Sequence, residues 1–240
     1  MSKPRHAPTC FAGITDVAKK LDRNEVKKAL ERKIAQTYRP VKPNTQLGFI
    51  HHNVDCIGCR ACEIACKDKN GLPPGPRIRR VMYAEGGTFP DVFAYKVNMS
   101  CNHCAVPACL PTCPSGAIWK REDNGVVDID STLCIGCRRC EAACPYGAPQ
   151  WDPVEKTVKK CNMCIDELEA GRKPYCVMAC MMRVLDIGPI SELAAGTWKT
   201  TALGPNEKAV RRVKNMANPE LTGPSIVFIP HSKGRVDGKP

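Results

Sequence analysis

Residues 134–145 read CIGCRRCEAACP, a stretch with four cysteines in twelve residues. Its cysteines are spaced C-x2-C-x2-C-x3-C and are followed directly by proline, which is the spacing of cysteine ligands to four-iron, four-sulfur clusters. The short steps let one loop bring Cys134, Cys137 and Cys140 to one cluster. The fourth cysteine, Cys144, leads away from them and, in two-cluster proteins, binds the other cluster. The stretch therefore predicts a partner motif elsewhere in the chain.

Three further motifs repeat this pattern, one with the same spacing and two with a longer middle step. Sixteen of the seventeen cysteines fall into the four motifs, so the pattern does not follow from composition alone. The other three motifs are Cys56, Cys59, Cys62 and Cys66; Cys101, Cys104, Cys109 and Cys113; and Cys161, Cys164, Cys176 and Cys180. We therefore predict four 4Fe–4S clusters, with all sixteen cysteines bound to iron.

Two other uses of cysteine fit the pattern less well. Structural zinc sites join two C-x2-C pairs across a longer loop, and they do not require a third cysteine two residues on. Disulfide scaffolds are shorter secreted chains whose spacings do not repeat C-x2-C four times. A zinc-binding scaffold or interaction protein stays as the remote alternative.

The formal net charge of +12 raises the question of a nucleic-acid or anionic-membrane partner. Each oxidised cluster with four thiolates carries roughly −2, so four clusters would remove roughly eight charges. We find no nucleic-acid-binding motif and expect no nucleic-acid partner. Aromatic residues make up only 5% of the chain. Clusters would replace part of the missing core, so we expect the metal-free chain to be poorly folded.

Hydrophobic periodicity and turn signals divide the chain into segments. Asp22 and Glu25 form a capping box that predicts a helix over 22–37 in an N-terminal extension. Asp123-Asn124-Gly125 predicts a hairpin turn. From Gly204 the tail is rich in proline, glycine and lysine. Its apolar run Ser225–Ile229 is expected to pair with the edge strand of a sheet, either this chain's own or a partner's. We expect strands over 47–54, 77–83, 92–98, 117–121, 126–129 and 184–187, and a short helix over 191–195.

The predicted hairpin at 117–129 also indicates how the motifs pair. Twenty residues separate Cys113 from Cys134, which suits the central connection of a compact two-cluster ferredoxin. The second and third motifs then form one unit, and the first and fourth are left to form another around it. Sequential pairing of the first motif with the second is the alternative. In the nested arrangement the ligand sets are Cys56, Cys59, Cys62 and Cys180; Cys101, Cys104, Cys109 and Cys144; Cys134, Cys137, Cys140 and Cys113; and Cys161, Cys164, Cys176 and Cys66.

The fold class that follows is α+β, with two ferredoxin-like units of which one is inserted in the other. The N-terminal helical extension and the extended C-terminal tail flank them. The predicted segments are the extension 1–45, the outer unit 46–98 with 150–190, the inner unit 99–149, and the tail 191–240 as a docking segment.

Four stretches make the chain resemble the iron–sulfur subunit of the dimethyl sulfoxide reductase family. They are CIGCRACEIACKD (56–68), SCNHCAVPACLPTCPSGAIWKRED (100–123), CIGCRRCEAACPYGAPQW (134–151) and KCNMCIDELEAGRKPYC (160–176). The resemblance covers roughly 46–190 and implies four 4Fe–4S clusters with the nested ligation. It also implies a place between a molybdopterin-guanine-dinucleotide catalytic subunit and a membrane subunit that exchanges electrons with quinol.

The chain shows no nucleophile–base pair, phosphate-binding glycine loop or flavin signature, so we predict a non-catalytic electron-transfer subunit. The alternative is a polyferredoxin subunit of a formate dehydrogenase, a hydrogenase, or a sulfur- or arsenic-compound reductase. We find no targeting segment or membrane span. Partner subunits would attach the chain to a membrane, on the periplasmic face by co-export or on the cytoplasmic face.

Four residues inside the cysteine loops are further candidates for a role at the clusters. We expect the positive charges of Arg60, Arg138 and Arg139 to raise the local reduction potential. We expect His103 to form a hydrogen bond to its loop rather than to bind metal.

Overall fold

The computed structural model describes residues 46–204, 207–214 and 216–232, which all lie in one compact unit, 39–240. The helix expected over 22–37 and the rest of the extension 1–45 lie outside the described residues. The described part is an α+β fold of short elements. Its strands are β1 Leu47–His52, β2 Arg80–Gly86, β3 Phe93–Met99, β4 Ile118–Lys120, β5 Val127–Ile129, β6 Gln150–Asp152, β7 Thr157–Lys159, β8 Leu185–Pro189 and β9 Ile226–Ile229. Its α-helices are α1 Ala61–Lys69, α2 Arg139–Ala143, α3 Ile165–Glu169, α4 Tyr175–Met178 and α5 Ile190–Ala195, and a 3₁₀ turn spans Pro219–Leu221.

A three-stranded sheet in the order β8–β1–β9 joins distant parts of the chain. Strand β1 pairs antiparallel with β8, so that Phe49 lies opposite Ile187. On its other edge β1 pairs in parallel with β9, where Phe49 lies opposite Ile226. The apolar run of the tail therefore pairs with this chain's own sheet, whereas the sequence alone also allowed pairing with a partner's sheet.

Three two-stranded hairpins complete the sheet structure of the described residues. The pairs β2–β3 and β4–β5 confirm the hairpins predicted around 77–98 and 117–129. At the second turn Gly125 has a φ of +70°, a conformation that glycine adopts without strain. The third pair, β6–β7, was not predicted. The short helix predicted over 191–195 is present as α5.

The tail also crosses the loop that carries the second cysteine motif. The backbone N–H groups of Ala105 and Val106 donate to the carbonyls of Gly223 and Thr222 (2.7 and 2.9 Å). In return Ser225 donates its backbone N–H to the carbonyl of Asn102 (2.7 Å). This exchange of hydrogen bonds lets the C-terminal tail hold the loop in place.

Cysteine side chains form part of the main hydrophobic core rather than a shell around it. Helices of four to nine residues are too short to be stable alone, so they depend on packing around these side chains. No helix within the described ranges has the length and apolar character required to cross a bilayer. The cysteines of this core are Cys56, Cys62, Cys66, Cys101, Cys161, Cys176 and Cys180.

Candidate metal centres

Helix α1 carries the last two cysteines of the first motif. Cys62 and Cys66 lie four residues apart, which puts them one turn apart on the same face of the helix. Cys176 in α4 and Cys180 just beyond it have the same separation. Helices α1 and α4 contact each other, so these four thiols lie on two neighbouring elements.

The first quartet of thiols combines the first and fourth motifs. Cys56, Cys59, Cys62 and Cys180 line one cavity. Burial raises the pKa of the Cys56 thiol, and the other three thiols raise it further. The structure therefore brings together the first ligand set that the sequence predicted.

The fourth quartet is the reciprocal combination of the same two motifs. Burial raises the pKa of the Cys66 thiol well above its ordinary value, and Cys161, Cys176 and Cys164 raise it further because they lie nearby. Burial likewise raises the pKa of Cys176 to about 12. Cys66, Cys161, Cys164 and Cys176 thus form one buried group.

The second and third quartets exchange cysteines between the two central motifs. A separate cavity lies among the four thiols of each of these quartets. Burial raises the pKa of Cys104 and Cys109 to about 12, and in both cases Cys101 and Cys144 add to the effect. The first of these cavities is lined by Cys101, Cys104, Cys109 and Cys144, and the second by Cys113, Cys134, Cys137 and Cys140.

Hydrogen-bond donors approach the sulfur atoms of several quartets. Asn98 donates Nδ2–H to Cys62 Sγ (3.1 Å), and the backbone N–H of Met163 donates to Cys161 Sγ (3.3 Å). Burial alone would raise the pKa of the Cys113 thiol, but hydrogen bonds from Ser115 and from nearby backbone N–H groups hold it below its ordinary value. Donors of this kind stabilise thiolates and tune the clusters that thiolates hold.

Buried cations accompany the buried thiols. Arg79 interacts electrostatically with cysteines of the first and fourth quartets, and Lys160 interacts with Cys101 and Cys109 of the second. Lys120 Nζ donates to the carbonyl of Cys104 (2.8 Å), and burial lowers the pKa of this lysine to about 8. These three cations and Asn98 were not predicted from the sequence. Basic residues are usually exposed, and nothing in the local sequence indicates that these are buried.

The CIGCR loops of the first and third motifs have matching backbones. Gly58 and Gly136 have φ values of +73° and +66°, and Arg60 and Arg138 that follow are also left-handed (60° and 58°). A Cβ atom on Gly136 would lie 2.5 Å from the carbonyl oxygen of Lys156 and 2.7 Å from the Trp151 ring. Glycine is therefore required here both by conformation and by space.

Replacing Gly136 with alanine should selectively disturb the third quartet. The strained φ and the close approach to Lys156 would displace the loop between Cys134 and Cys137, at a cost of about 1–3 kcal/mol. We expect Gly136→Ala to lower iron content by up to one cluster of four. Gly171→Ala is the matched control, since its φ is +71° but nothing lies within 4 Å of an added Cβ. Equal iron in both variants would contradict the steric argument.

The loop arginines and His103 occupy different environments from those expected. Arg60 and Arg138 lie at the surface over the rings of Tyr83 and Trp151 (5.4 and 5.8 Å), and Arg138 Nε also donates to Glu141 (2.7 Å). Arg139 is exposed. Their effect on potential stays a prediction. His103 is fully buried, and its Nδ1 accepts the backbone N–H of Val127 (3.0 Å), so its partner is the β4–β5 hairpin rather than its own loop.

The residues present fit 4Fe–4S clusters. Four thiols border each of three cavities, and a fourth set is grouped by burial and mutual interaction. N–H donors approach the sulfurs of Cys62 and Cys161, and buried cations interact electrostatically with the thiols. The sixteen described cysteines are not joined in disulfides. Within the described ranges, no group of three or more cysteine, histidine or carboxylate side chains is arranged to hold a single metal ion.

Comparisons with known proteins place the chain among iron–sulfur subunits. A family model described as a 4Fe-4S dicluster domain matches residues 92–190. An anaerobic dimethyl sulfoxide reductase chain of Escherichia coli (strain K12) is 42% identical over 202 residues, which cover 81% of the present sequence and 93% of the relative. This protein belongs to the family of dimethyl sulfoxide reductase iron–sulfur subunits.

Other relatives extend the family's range. The corresponding dimethyl sulfoxide reductase chain of Haemophilus influenzae is 37% identical over 80% of the present sequence and 93% of its own length. A sulfite dehydrogenase subunit of Allochromatium vinosum is 43% identical over 57% of the present sequence and 65% of its own length. As a member of the family with a 4Fe-4S dicluster domain, the chain is a 4Fe–4S protein, and its sixteen grouped cysteines match four clusters.

Proposed function

We propose that the chain is the electron-transfer subunit of a dimethyl sulfoxide reductase-type complex, with four clusters held by the nested cysteine quartets. The observation that carries this proposal is that each group of neighbouring thiols contains three cysteines of one motif and one of another. Exchange of the fourth cysteine is the ligation pattern of two-cluster ferredoxins. The same exchange supports an inner unit built from the second and third motifs and an outer unit built from the first and fourth.

The chain's own residues hold and tune these sites. When bound, each 4Fe–4S cluster would accept and release one electron. The cysteines fix the positions of the sites, since each motif contributes to two of them. Asn98 and backbone N–H groups donate to sulfur, and Arg79 and Lys160 supply positive charge in a dry interior. These groups favour electron acceptance because they offset added negative charge.

Two of the sixteen cysteines, Cys59 and Cys137, are exposed, whereas the others are buried or half-buried. Two residues before each of them lies an exposed apolar side chain, Ile57 and Ile135 (53% and 67% exposed). The first and third quartets therefore approach the surface at apolar patches where a partner's electron carrier could dock. We propose a molybdopterin catalytic subunit and a quinol-linked membrane subunit as these partners, with the chain attached to the membrane through them.

The test is anaerobic purification from the native source, with iron, molybdenum, tungsten and zinc measured in all proteins that co-purify. We expect about sixteen iron atoms per chain and a large partner that carries molybdenum or tungsten. Iron at that level without either metal would instead favour a hydrogenase or a free polyferredoxin. Zinc in place of iron, in protein never exposed to air, would contradict electron transfer.

Similarity to the sulfite dehydrogenase subunit favours a second candidate function in sulfur-compound oxidation. The chain would hold the same clusters, and electrons would leave the catalytic subunit rather than enter it. Activity of the purified complex with a sulfoxide as electron acceptor, compared with sulfite as electron donor, would separate the two functions.

Paired alanine substitutions test the nested ligation. Cys56→Ala and Cys180→Ala should remove the same cluster, so the double variant should lose about four irons, as either single variant does. If the first motif paired with the second, the double variant would lose about eight. Iron analysis with EPR of the dithionite-reduced protein measures the loss.

Cys56→Ala with Cys66→Ala is the matched control for this experiment. These two cysteines belong to one motif but to different groups of neighbouring thiols. The nested arrangement predicts the loss of about eight irons here, although both substitutions lie within one short segment. A loss of only four would place both residues on one cluster and contradict the proposed exchange.

A further inference from the structure

Arg79 occupies an unusual position for an arginine. Its side chain is 1% exposed, and it lies directly before the first residue of β2. It interacts electrostatically with Cys62 of the first quartet and with Cys66, Cys161 and Cys176 of the fourth. One buried guanidinium therefore interacts electrostatically with two separate groups of thiols.

The surroundings of Arg79 supply no carboxylate to balance its charge among the described residues. Nη1 donates to the side-chain oxygen of Asn98 (2.8 Å), while Nε and Nη2 have no hydrogen-bond partner there. The guanidinium lies over the ring of Phe49, 4.3 Å from its centroid. The buried carboxylate of α1, Glu63, instead faces Arg77 (3.7 Å). A buried cation requires an anionic partner, and the thiolates of the two quartets are the anions within reach.

Arg79 also fixes the orientation of the Asn98 amide. A guanidinium only donates hydrogen bonds, so the oxygen of Asn98 must face Arg79 and its NH₂ group must face away. The NH₂ nitrogen lies 3.1 Å from Cys62 Sγ. The assignment of this N–H···S bond therefore does not depend on a choice between the two amide orientations. Arg79 acts on the first quartet both directly by charge and indirectly through Asn98.

We propose that Arg79 is the shared counter-ion of the first and fourth quartets, which raises the reduction potentials of both and orients Asn98 toward Cys62. This inference rests on the proposed ligand sets. An electron added at either quartet would be stabilised by the same positive charge, because low polarity around Arg79 leaves that charge poorly screened. Arg79 is a positioning residue, since it acts on the cysteines through its charge and through Asn98 and touches no substrate.

The test is an EPR-monitored redox titration of the four-cluster protein and its variants. In Arg79→Gln we expect two of the four midpoint potentials to fall, each by a factor of at least ten in the reduction equilibrium, about 59 mV for one electron. Asn98→Leu removes the N–H···S bond but keeps the charge, so only one potential should fall. Arg79→Lys keeps a charge and should hold both potentials closer to the wild type than Arg79→Gln does.

Arg211→Gln is the matched control for the loss of one positive charge, since Arg211 lies at the surface of the tail. None of its four potentials should move. Arg79→Gln with four clusters and wild-type potentials would overturn the inference. If Arg79→Gln does not assemble its clusters, the other two variants test the inference. Unchanged potentials in Asn98→Leu would overturn it, and so would two lowered potentials in Arg79→Lys. A wild-type protein without four one-electron couples would count against the proposed function instead.

Discussion

Anaerobic removal of iron is expected to unfold the cysteine-bearing unit rather than to leave four empty sites in an intact fold. Seven cysteines belong to the main core, and the helices that carry them have only four to nine residues. Without clusters these thiols would border cavities, and the short helices could not hold their positions alone. Near-UV circular dichroism and limited proteolysis should both show the loss of structure. A metal-free protein that keeps its near-UV signal and protease resistance would contradict this expectation.

Iron retention should also depend on pH in a defined direction. Burial raises the pKa of Cys104, Cys109 and Cys176 to about 12, so any of these thiols that is freed from iron while the chain is still folded takes up a proton at neutral pH. Protons therefore compete with iron for the sulfur atoms, and binding iron releases them. Iron release into a ferrous chelator should become faster as the pH falls. A release rate that rises with pH would show that another process limits it.

Truncation of Phe228 to alanine should strongly destabilise the three-stranded sheet. Phe228 is fully buried in β9, lies opposite His51 of β1 and forms a bridge with Val210. Loss of its ring should cost about 3–5 kcal/mol, which corresponds to a decrease of about 6–20 °C in the thermal midpoint for a chain of this size. The measurement is anaerobic thermal unfolding followed by cluster absorbance at one fixed scan rate, since cluster loss makes unfolding irreversible.

Leu221→Ala provides the control within the same tail. Its side chain is 70% exposed, so its removal should shift the midpoint by no more than a degree or two, from about 0.5 kcal/mol. If Phe228→Ala and Leu221→Ala had equal midpoints, β9 would not be part of the stable sheet. The tail would then be available to a partner, as the sequence alone also allowed.

Cysteine spacing predicted the four motifs because ligand geometry limits spacing strictly, whereas the nested pairing was inferred from the predicted hairpin at 117–129 and stays a proposal. The C-x3-C step puts Cys62 and Cys66 one helical turn apart along α1. Cys62 therefore lies with the first quartet and Cys66 with the fourth. The hairpin of β4 and β5 was predictable because Asp123-Asn124-Gly125 has strong turn propensity. These features depend on local chemistry, and local chemistry can be read from the sequence.

Features that depend on tertiary context were not predictable. The turn between β6 and β7 includes the non-glycine Lys156 with a φ of 54°, so it lacks the usual Asn-Gly or Asp-Gly signal. Arg79 lies in the basic run RIRR, which resembles a solvated surface, and its burial becomes apparent only once two quartets surround it. The parallel pairing of β9 with β1 brings together residues from opposite ends of the described chain.

That pairing has a consequence for the order of assembly in the cell. The ribosome produces β1 before any cysteine motif and β9 after all of them, yet the two strands are neighbours. The three-stranded sheet cannot be complete until synthesis has passed Ile229, and contacts so distant in sequence form slowly. Until then the loop at Cys101–Cys109 lacks the tail segment that crosses it. Closure of the tail over this loop therefore cannot precede the synthesis of β9.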